Sequence, residues 1–230
     1  MTRVLIVEDD TGIRTLLHAV LARDGFTVVE SGNGAHALQA LSVAKFDAVV
    51  LDLMMPVLGG QEVLDHLAAE KPFRRNVVVL TAANPAHFGS LNDRCIQTIL
   101  RKPFDLAEML AAVRAAAQRE VLVVEDNPAH QYLIERELTK GGYAVTVAAD
   151  GRVALAELRE RKYDAMVLDI VLPVVSGYDV VTAIGDDPRR PATVVLTTLD
   201  HLDTEIPVDA VLQKPSGFDV LVPTLRTLLP

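Results

Sequence analysis

The chain has 230 residues, half of them hydrophobic, with one cysteine, six histidines and a formal net charge of −9 at pH 7. That acidic balance argues against a protein whose main task is gripping nucleic acid, which leaves a basic footprint. No apolar run approaches the roughly 20 residues of a membrane span, no basic patch with a following apolar stretch opens the chain, and the lone Cys95 offers no disulfide framework, so a reducing cytoplasm without membrane contact is expected.

The first element is read from MTRVLIVEDD, where Val4, Leu5, Ile6 and Val7 run straight into Glu8, Asp9 and Asp10. Continuous apolar runs of this kind predict strands covered on both faces, as in a parallel sheet. They recur so as to predict strands near 3–7, 27–30, 47–51, 77–80 and 97–100, with helices between them and a last helix near 104–119. Gly25 stands where the first helix should stop. At Val121 the stretch VLVVEDN begins the series again.

The repeat has a measurable period. Asp9 and Asp126, Asp52 and Asp169, Pro56 and Pro173, and Gly60 and Gly177 are each 117 residues apart. Thr81 and Thr197 are 116 apart, and Lys102-Pro103 and Lys214-Pro215 are 112 apart. A period this constant marks a duplicated domain, 1–118 and 119–230, carrying −2 and −7 of the net charge. In the second copy Asn127-Pro128 offers a helix N-cap and a proline at the first helical position, and Gly141 a helix stop. The segment TLDHLDTEIPVD between Thr197 and Lys214 leaves room for a helix of one turn or less. Alternating strands and helices imply right-handed βαβ units. The fold class is therefore α/β, two doubly wound five-stranded parallel-sheet domains in tandem.

In such a sheet a site forms at the carboxyl ends of the strands, near the topological switch point. Glu8 and Asp9 follow the first predicted strand, Asp52 ends the third, Thr81 ends the fourth and Lys102 follows the fifth. The second copy offers Glu125, Asp126, Asp169, Thr197 and Lys214. Crowded carboxylates repel one another and resist desolvation, so they call for a cation. All-oxygen ligands favour a hard ion such as Mg2+. An Asp beside a metal, with Lys and Thr donors at hand, can attack a phosphoryl group while those donors hold its oxygens.

The acidic pair after strand one, D-x-x-x-P-x-x-x-G around Asp52 and again around Asp169, the Thr after strand four and the Lys-Pro after strand five together resemble the response-regulator receiver domain of two-component signalling, once in 2–118 and once in 120–229. The resemblance implies a flavodoxin-like fold and phosphoryl acceptance on Asp52 and Asp169 from a sensor histidine kinase or a histidine phosphotransfer protein. It implies Mg2+ on Asp9 and Asp126, with Glu8 and Glu125 helping through water and the backbone carbonyls of Met54 and Val171 completing the protein ligands. It also implies that the Lys-Pro bonds are cis.

Some positions depart from the family pattern. Ile99 and Val211 replace the aromatic three residues before the Lys, and Thr198 stands where a small residue such as Ala82 is usual, which should narrow access to Asp169. Met54 and Ala83 flank the first Asp, Val171 and Leu199 the second, so a longer-lived phosphoryl group is expected on Asp169. Asp10 reads as a capping or surface acid, since Asn127 replaces it. His18, His36, His66, His87, His130 and His201 read as helix-surface residues, and the pairs Arg74-Arg75 and Arg189-Arg190 as solvated loop charge.

The expected protein is a cytoplasmic, non-enzymatic relay intermediate or adaptor working through protein contacts, homodimerisation included, with no direct nucleic acid. Two alternatives stand beside it. The second copy could be a pseudo-receiver kept for dimerisation or scaffolding, or the chain could be the regulatory part of a longer regulator with an output domain. A phosphatase of the haloacid-dehalogenase kind would want a second Asp two residues after the nucleophile, where Met54 and Val171 stand.

Overall fold

The computed structural model describes residues 2–69, 74, 76–82, 95–185, 187, 190–199 and 206–229. The chain divides into two compact units, Met1–Gln118 and Arg119–Pro230. In the first, β1 (Arg3–Val7), β2 (Thr27–Ser31), β3 (Ala48–Asp52), β4 (Val77–Thr81) and β5 (Ile96–Arg101) alternate with α1 (Thr11–Arg23), α2 (Gly34–Val43), α3 (Gly60–Ala69) and α4 (Leu106–Ala116). In the second, β6 (Glu120–Val124), β7 (Ala144–Ala148), β8 (Ala165–Leu168), β9 (Ala192–Thr197) and β10 (Ala210–Gln213) alternate with α5 (Pro128–Lys140), α6 (Gly151–Glu160), α7 (Gly177–Ile184) and α8 (Gly217–Leu228).

Each unit holds one five-stranded sheet, ordered β2-β1-β3-β4-β5 and β7-β6-β8-β9-β10, and every strand pair is parallel. The two faces explain the unbroken apolar runs. Leu5, Val7, Val49 and Leu51 pack with Ala37 of α2 and Val63 and Leu64 of α3. Their neighbours Val4, Ile6, Val50 and Leu80 pack on the other face with Leu17 and Leu21 of α1 and Met109 and Val113 of α4. The second unit repeats this, with α5 and α8 on one face and α6 and α7 on the other. Helices on both faces of a parallel sheet make the doubly wound architecture. Cys95 is buried in the first of these cores.

Local signals explain most boundaries. Asp10 caps α1 by accepting from the Ile13 N–H at 2.8 Å, and Asn127 caps α5 by accepting from the Ala129 N–H at 2.9 Å, with Pro128 opening that helix. The last helix of the first unit starts later than expected because Asp105 caps it, accepting from the Ala107 N–H at 2.7 Å, and it ends earlier, at Ala116. The helix stop expected at Gly141 is where α5 ends, since Gly141 is its C-cap. Gly25 takes a positive φ of 91°, and its counterpart is Gly142 at 90°, while Gly141 caps α5 in a helical conformation. The period of 117 residues names Gly142, not Gly141, as the residue that needs the left-handed region.

At the amino ends of the strands, Asp47 accepts the Arg3 N–H at 2.7 Å and Asp164 accepts the Glu120 N–H at 2.9 Å, a repeated clamp joining β3 to β1 and β8 to β6. A third acid acts likewise. Asp209 accepts the Thr193 N–H at 2.7 Å and both Arg190 Nη atoms at 2.6 and 3.1 Å, fixing the start of β9 against β10. Arg190 is thus an anchoring residue and not free loop charge, whereas Arg75 and Arg189 lie outside the described residues. Burial alone would raise the Asp209 carboxyl, but Arg190 and the Thr193 N–H outweigh it and hold it below the usual carboxylate range.

Asp209→Asn is therefore expected to lower the stability of the second unit by about 1 kcal/mol, read by urea unfolding. A carboxylate depressed in the folded state contributes stability above its unfolded pKa, near 3.8, and loses it as pH falls through the folded value. The two unfolding curves should then converge in acid. Among the described residues no helix is long and apolar enough to cross a membrane. The short helix expected between Thr197 and Lys214 falls largely on 200–205, outside the described residues.

Candidate functional site

The strand order places the switch point between β1 and β3, and between β6 and β8, where a crevice opens at the carboxyl ends. Glu8 and Asp9 leave β1 there, and Asp52 is the last residue of β3. Glu8 and Asp52 are buried, at 1% and 4% exposure, while Asp9 faces solvent. Oxygens of the three carboxylates lie within 4.8 Å of one another, and the same holds for Glu125, Asp126 and Asp169.

One ammonium serves the two buried acids of each set. Lys102 Nζ donates to Glu8 Oε2 at 2.7 Å and to Asp52 Oδ2 at 2.6 Å. Lys214 Nζ donates to Glu125 Oε2 and to Asp169 Oδ2, both at 2.5 Å. The backbone presents each lysine, since the Lys102 N–H donates to Thr81 O at 2.8 Å and the Lys214 N–H to Thr197 O at 2.9 Å. Both lysines precede a cis proline. Thr81 and Thr197 are fully buried at the ends of β4 and β9.

Electrostatics leaves a surplus. Burial pushes the Glu8 carboxyl above the ordinary range; the Lys102 hydrogen bond opposes that shift, and the Asp52 charge adds to it. Burial would lower the Lys102 ammonium, yet its hydrogen bonds to Asp52 and Glu8 win and raise it. Three carboxylates facing one ammonium still carry excess negative charge. An all-oxygen set with that surplus fits a hard divalent cation such as Mg2+, with Asp9 or Asp126 at the solvent side, where waters can complete the shell.

Other residues fix the acids. The Met54 N–H donates to Asp52 Oδ1 at 2.9 Å and the Val171 N–H to Asp169 Oδ1 at 3.0 Å, so each of these Asp side chains is held by its own loop. The Met54 and Val171 side chains are about equally exposed, at 56% and 54%. Gly60 and Gly177 open the helices that follow these loops. A Cβ on Gly60 would stand 2.1 Å from Asp52 O, and one on Gly177 would stand 2.4 Å from Asp169 O. Val57 and Val174 take positive φ values of 74° and 67°, a strained state for a β-branched residue, at matching points of the two loops.

The two sites are not identical. Arg14 Nη1 donates to Glu8 O at 2.7 Å and its Nε to Glu30, whereas Gln131 Nε2 holds Glu125 O at 2.6 Å. His130 corrects the reading of the histidines. Its Nδ1 lies 3.1 Å from Glu125 Oε1 and 3.4 Å from Lys214 Nζ, and its ring stands 5.7 Å from that of Phe218. The signal was present in the repeat, for position 130 matches Ile13, and an apolar residue has become an imidazole in the first turn after the acidic pair. His18 pairs with Glu30, and His36 and His66 are exposed, while His87 and His201 lie outside the described residues. Thr198 is exposed, and Asp169 and Asp52 are about equally buried, at 6% and 4% exposure. Ala83 lies outside the described residues. Ile99 is half-buried, and Val211 is 49% exposed.

Comparison with known proteins gives one family, described as "Response regulator receiver domain", matching residues 4–114 and 121–226. The response regulator MprA of Mycobacterium ulcerans is 30% identical over 196 residues, 79% of this chain and 82% of that protein. The transcriptional regulatory protein TcrA of Mycobacterium tuberculosis is 36% identical over 123 residues, 51% of this chain and 46% of that protein. The chain thus spans about half the length of TcrA and of another of the curated relatives it matches. Among solved structures, the receiver domain of a sensor histidine kinase from Pseudomonas aeruginosa, with a magnesium ion coordinated in its active site cleft, is 32% identical, covering 49% of this chain and 98% of that one, at a TM-score of 0.44.

Proposed function

The chain belongs to the response regulator receiver family, once in each unit, and from that premise we propose that it is a tandem phosphoacceptor of two-component signalling, taking phosphoryl groups on Asp52 and Asp169 from a histidine kinase or histidine phosphotransfer protein. The observation that carries the reading is the duplicated arrangement of a buried Asp and a buried Glu sharing one Lys, with an exposed Asp beside them. Structural ion pairs alone do not call for the third acid.

The residues divide the work. A carboxylate oxygen of Asp52 or Asp169 forms the new bond to phosphorus as the phosphorus–nitrogen bond of a phosphohistidine breaks and the imidazole leaves with the electron pair. The Met54 or Val171 N–H steadies the Asp throughout. Lys102 or Lys214, already on that Asp, follows the charge onto a phosphoryl oxygen, and the Thr81 or Thr197 hydroxyl donates to another. Glu8 with Asp9, or Glu125 with Asp126, would hold Mg2+ together with the acceptor Asp and the Met54 or Val171 carbonyl. When bound, Mg2+ supplies positive charge against the oxygens on which negative charge gathers. The phosphorylated chain then signals through protein contacts in the cytoplasm.

Incubation with a small phosphodonor and Mg2+, followed by intact-protein mass, tests this. Two phosphoryl groups are expected on wild type, one on Asp52→Asn or Asp169→Asn, and none on the double variant. A second reading, that only Asp52 accepts phosphate, is favoured by the deeper burial of Lys214, 4% exposed against 17% for Lys102. One group on wild type, lost with Asp52→Asn, would decide for it. Decay of the two singly phosphorylated variants gives a further check, with the longer lifetime expected at Asp169 because all four flanking residues are apolar and Leu199, larger than Ala83, excludes more water. Equal lifetimes would remove that role from Leu199.

A further inference from the structure

The second site holds one group that the first lacks. His130 lies in the first turn of α5, capped by Asn127, and the turn aims its ring back at the end of β6. There Glu125 uses its two oxygens on different partners, Oε2 on Lys214 and Oε1 on His130 Nδ1 and, at 3.3 Å, on the Asn127 N–H. Phe218, from the first turn of α8, stands against the ring from the far side. In the first unit Glu8 Oε2 meets Lys102 likewise, but among the described residues Oε1 has the Asp10 N–H at 3.4 Å and no side chain, and Ile13 occupies the place of His130. A carboxylate oxygen accepts, so the contact is a hydrogen bond in the form of His130 that carries a proton on Nδ1.

We propose that His130 is a positioning residue of the second site, holding Glu125 by Oε1 so that a divalent cation binds more tightly there than it would with an apolar residue at that position. The inference rests on the metal-dependent reading given above. Groups that orient a ligand without touching the metal set how far the ligand is organised before binding, and losing one typically weakens metal affinity about 10-fold or more. Lys214 anchors the other oxygen and would shift when a cation arrives, which leaves His130, together with the Asn127 N–H whose counterpart in the first unit is the Asp10 N–H, to restrain Glu125.

The test uses the full chain carrying Asp9→Asn and Asp52→Asn, which silence the first site, and Mn2+ as a hard-cation probe counted by the electron paramagnetic resonance of the free ion. His130→Phe keeps a ring against Phe218 and removes the hydrogen bond; His130→Asn returns an amide donor near the position of Nδ1. About 10-fold weaker Mn2+ binding is expected for His130→Phe, with affinity recovered in His130→Asn. Metal-free urea unfolding establishes that each variant is folded. Equal or tighter binding by folded His130→Phe overturns the role of His130 while leaving the metal site standing. No Mn2+ binding by the parent overturns both. If His130→Phe does not fold, His130→Asn decides alone: affinity close to that of the parent supports the hydrogen bond, and a loss as large as the one expected for Phe overturns it.

Discussion

Lys214→Ala is expected to cost the second unit about 3–5 kcal/mol in the presence of a chelator, and Mg2+ is expected to return a large part of it. The lysine side chain is 4% exposed and lies 2.5 Å from both Glu125 Oε2 and Asp169 Oδ2. Its removal leaves two buried carboxylates side by side with no positive charge between them, and each must then be protonated or drag water inward. A divalent cation supplies what the ammonium supplied. At a concentration about 100-fold above its dissociation constant it would stabilise the folded state by about 2.7 kcal/mol. Urea unfolding of wild type and variant, with and without Mg2+, reads the difference. Lys102→Ala should behave alike with a smaller loss, because Lys102 is 17% exposed and water reaches the acids it leaves. Equal effects of Mg2+ on wild type and variant would mean that lysine and metal do not serve the same charges.

Gly60→Ala and Gly177→Ala are the second pair of large effects. A Cβ at Gly60 would meet Asp52 O at 2.1 Å and Leu53 Cα at 2.7 Å; at Gly177 it would meet Asp169 O at 2.4 Å and Ile170 Cα at 2.7 Å. The obstacles are backbone atoms of the strand end that carries Asp52 or Asp169, so no side chain can turn aside. A loss of about 3 kcal/mol in each unit is expected, together with reduced phosphoryl acceptance, because the only relief is to push α3 or α7 away from the acceptor Asp. Gly142→Ala is the control. It has positive φ, but a Cβ there would meet nothing within 4 Å, so only the left-handed penalty of about 1–2 kcal/mol applies. If Gly60→Ala melts with wild type, α3 does not seat tightly on the end of β3.

Much of this was legible because it depends on chain-local chemistry repeated at a fixed period. The apolar runs at 4–7 and 121–124 name strands buried on both faces, and they lie inside their sheets with a partner on each side. The acids at their ends and at Asp52 and Asp169 meet because a parallel sheet with a switch point brings those ends together. What escaped was set by partners distant in sequence. Nothing near Asp209 announces that Arg190 and the Thr193 N–H will converge on it, and nothing near Asp47 or Asp164 announces that the Arg3 N–H or the Glu120 N–H will donate to it. His130 escaped for another reason. Histidines on helices are commonly exposed, and only comparison of the two copies, Ile13 against His130, marks that one as belonging to the acidic end. Gly141 and Gly142 are adjacent, so local pattern alone does not choose between them; the period does, and it points to the second.

The central claim is that Asp52 and Asp169 are the acceptor residues, and an aspartyl phosphate can be trapped where it forms. The chain is phosphorylated by a small phosphodonor with Mg2+ and reduced with borohydride, which converts an aspartyl phosphate to homoserine, and its peptides are then mapped by mass. Homoserine at positions 52 and 169, absent when Mg2+ is chelated, is the predicted result. Homoserine at any other acid, or at neither position, would contradict it.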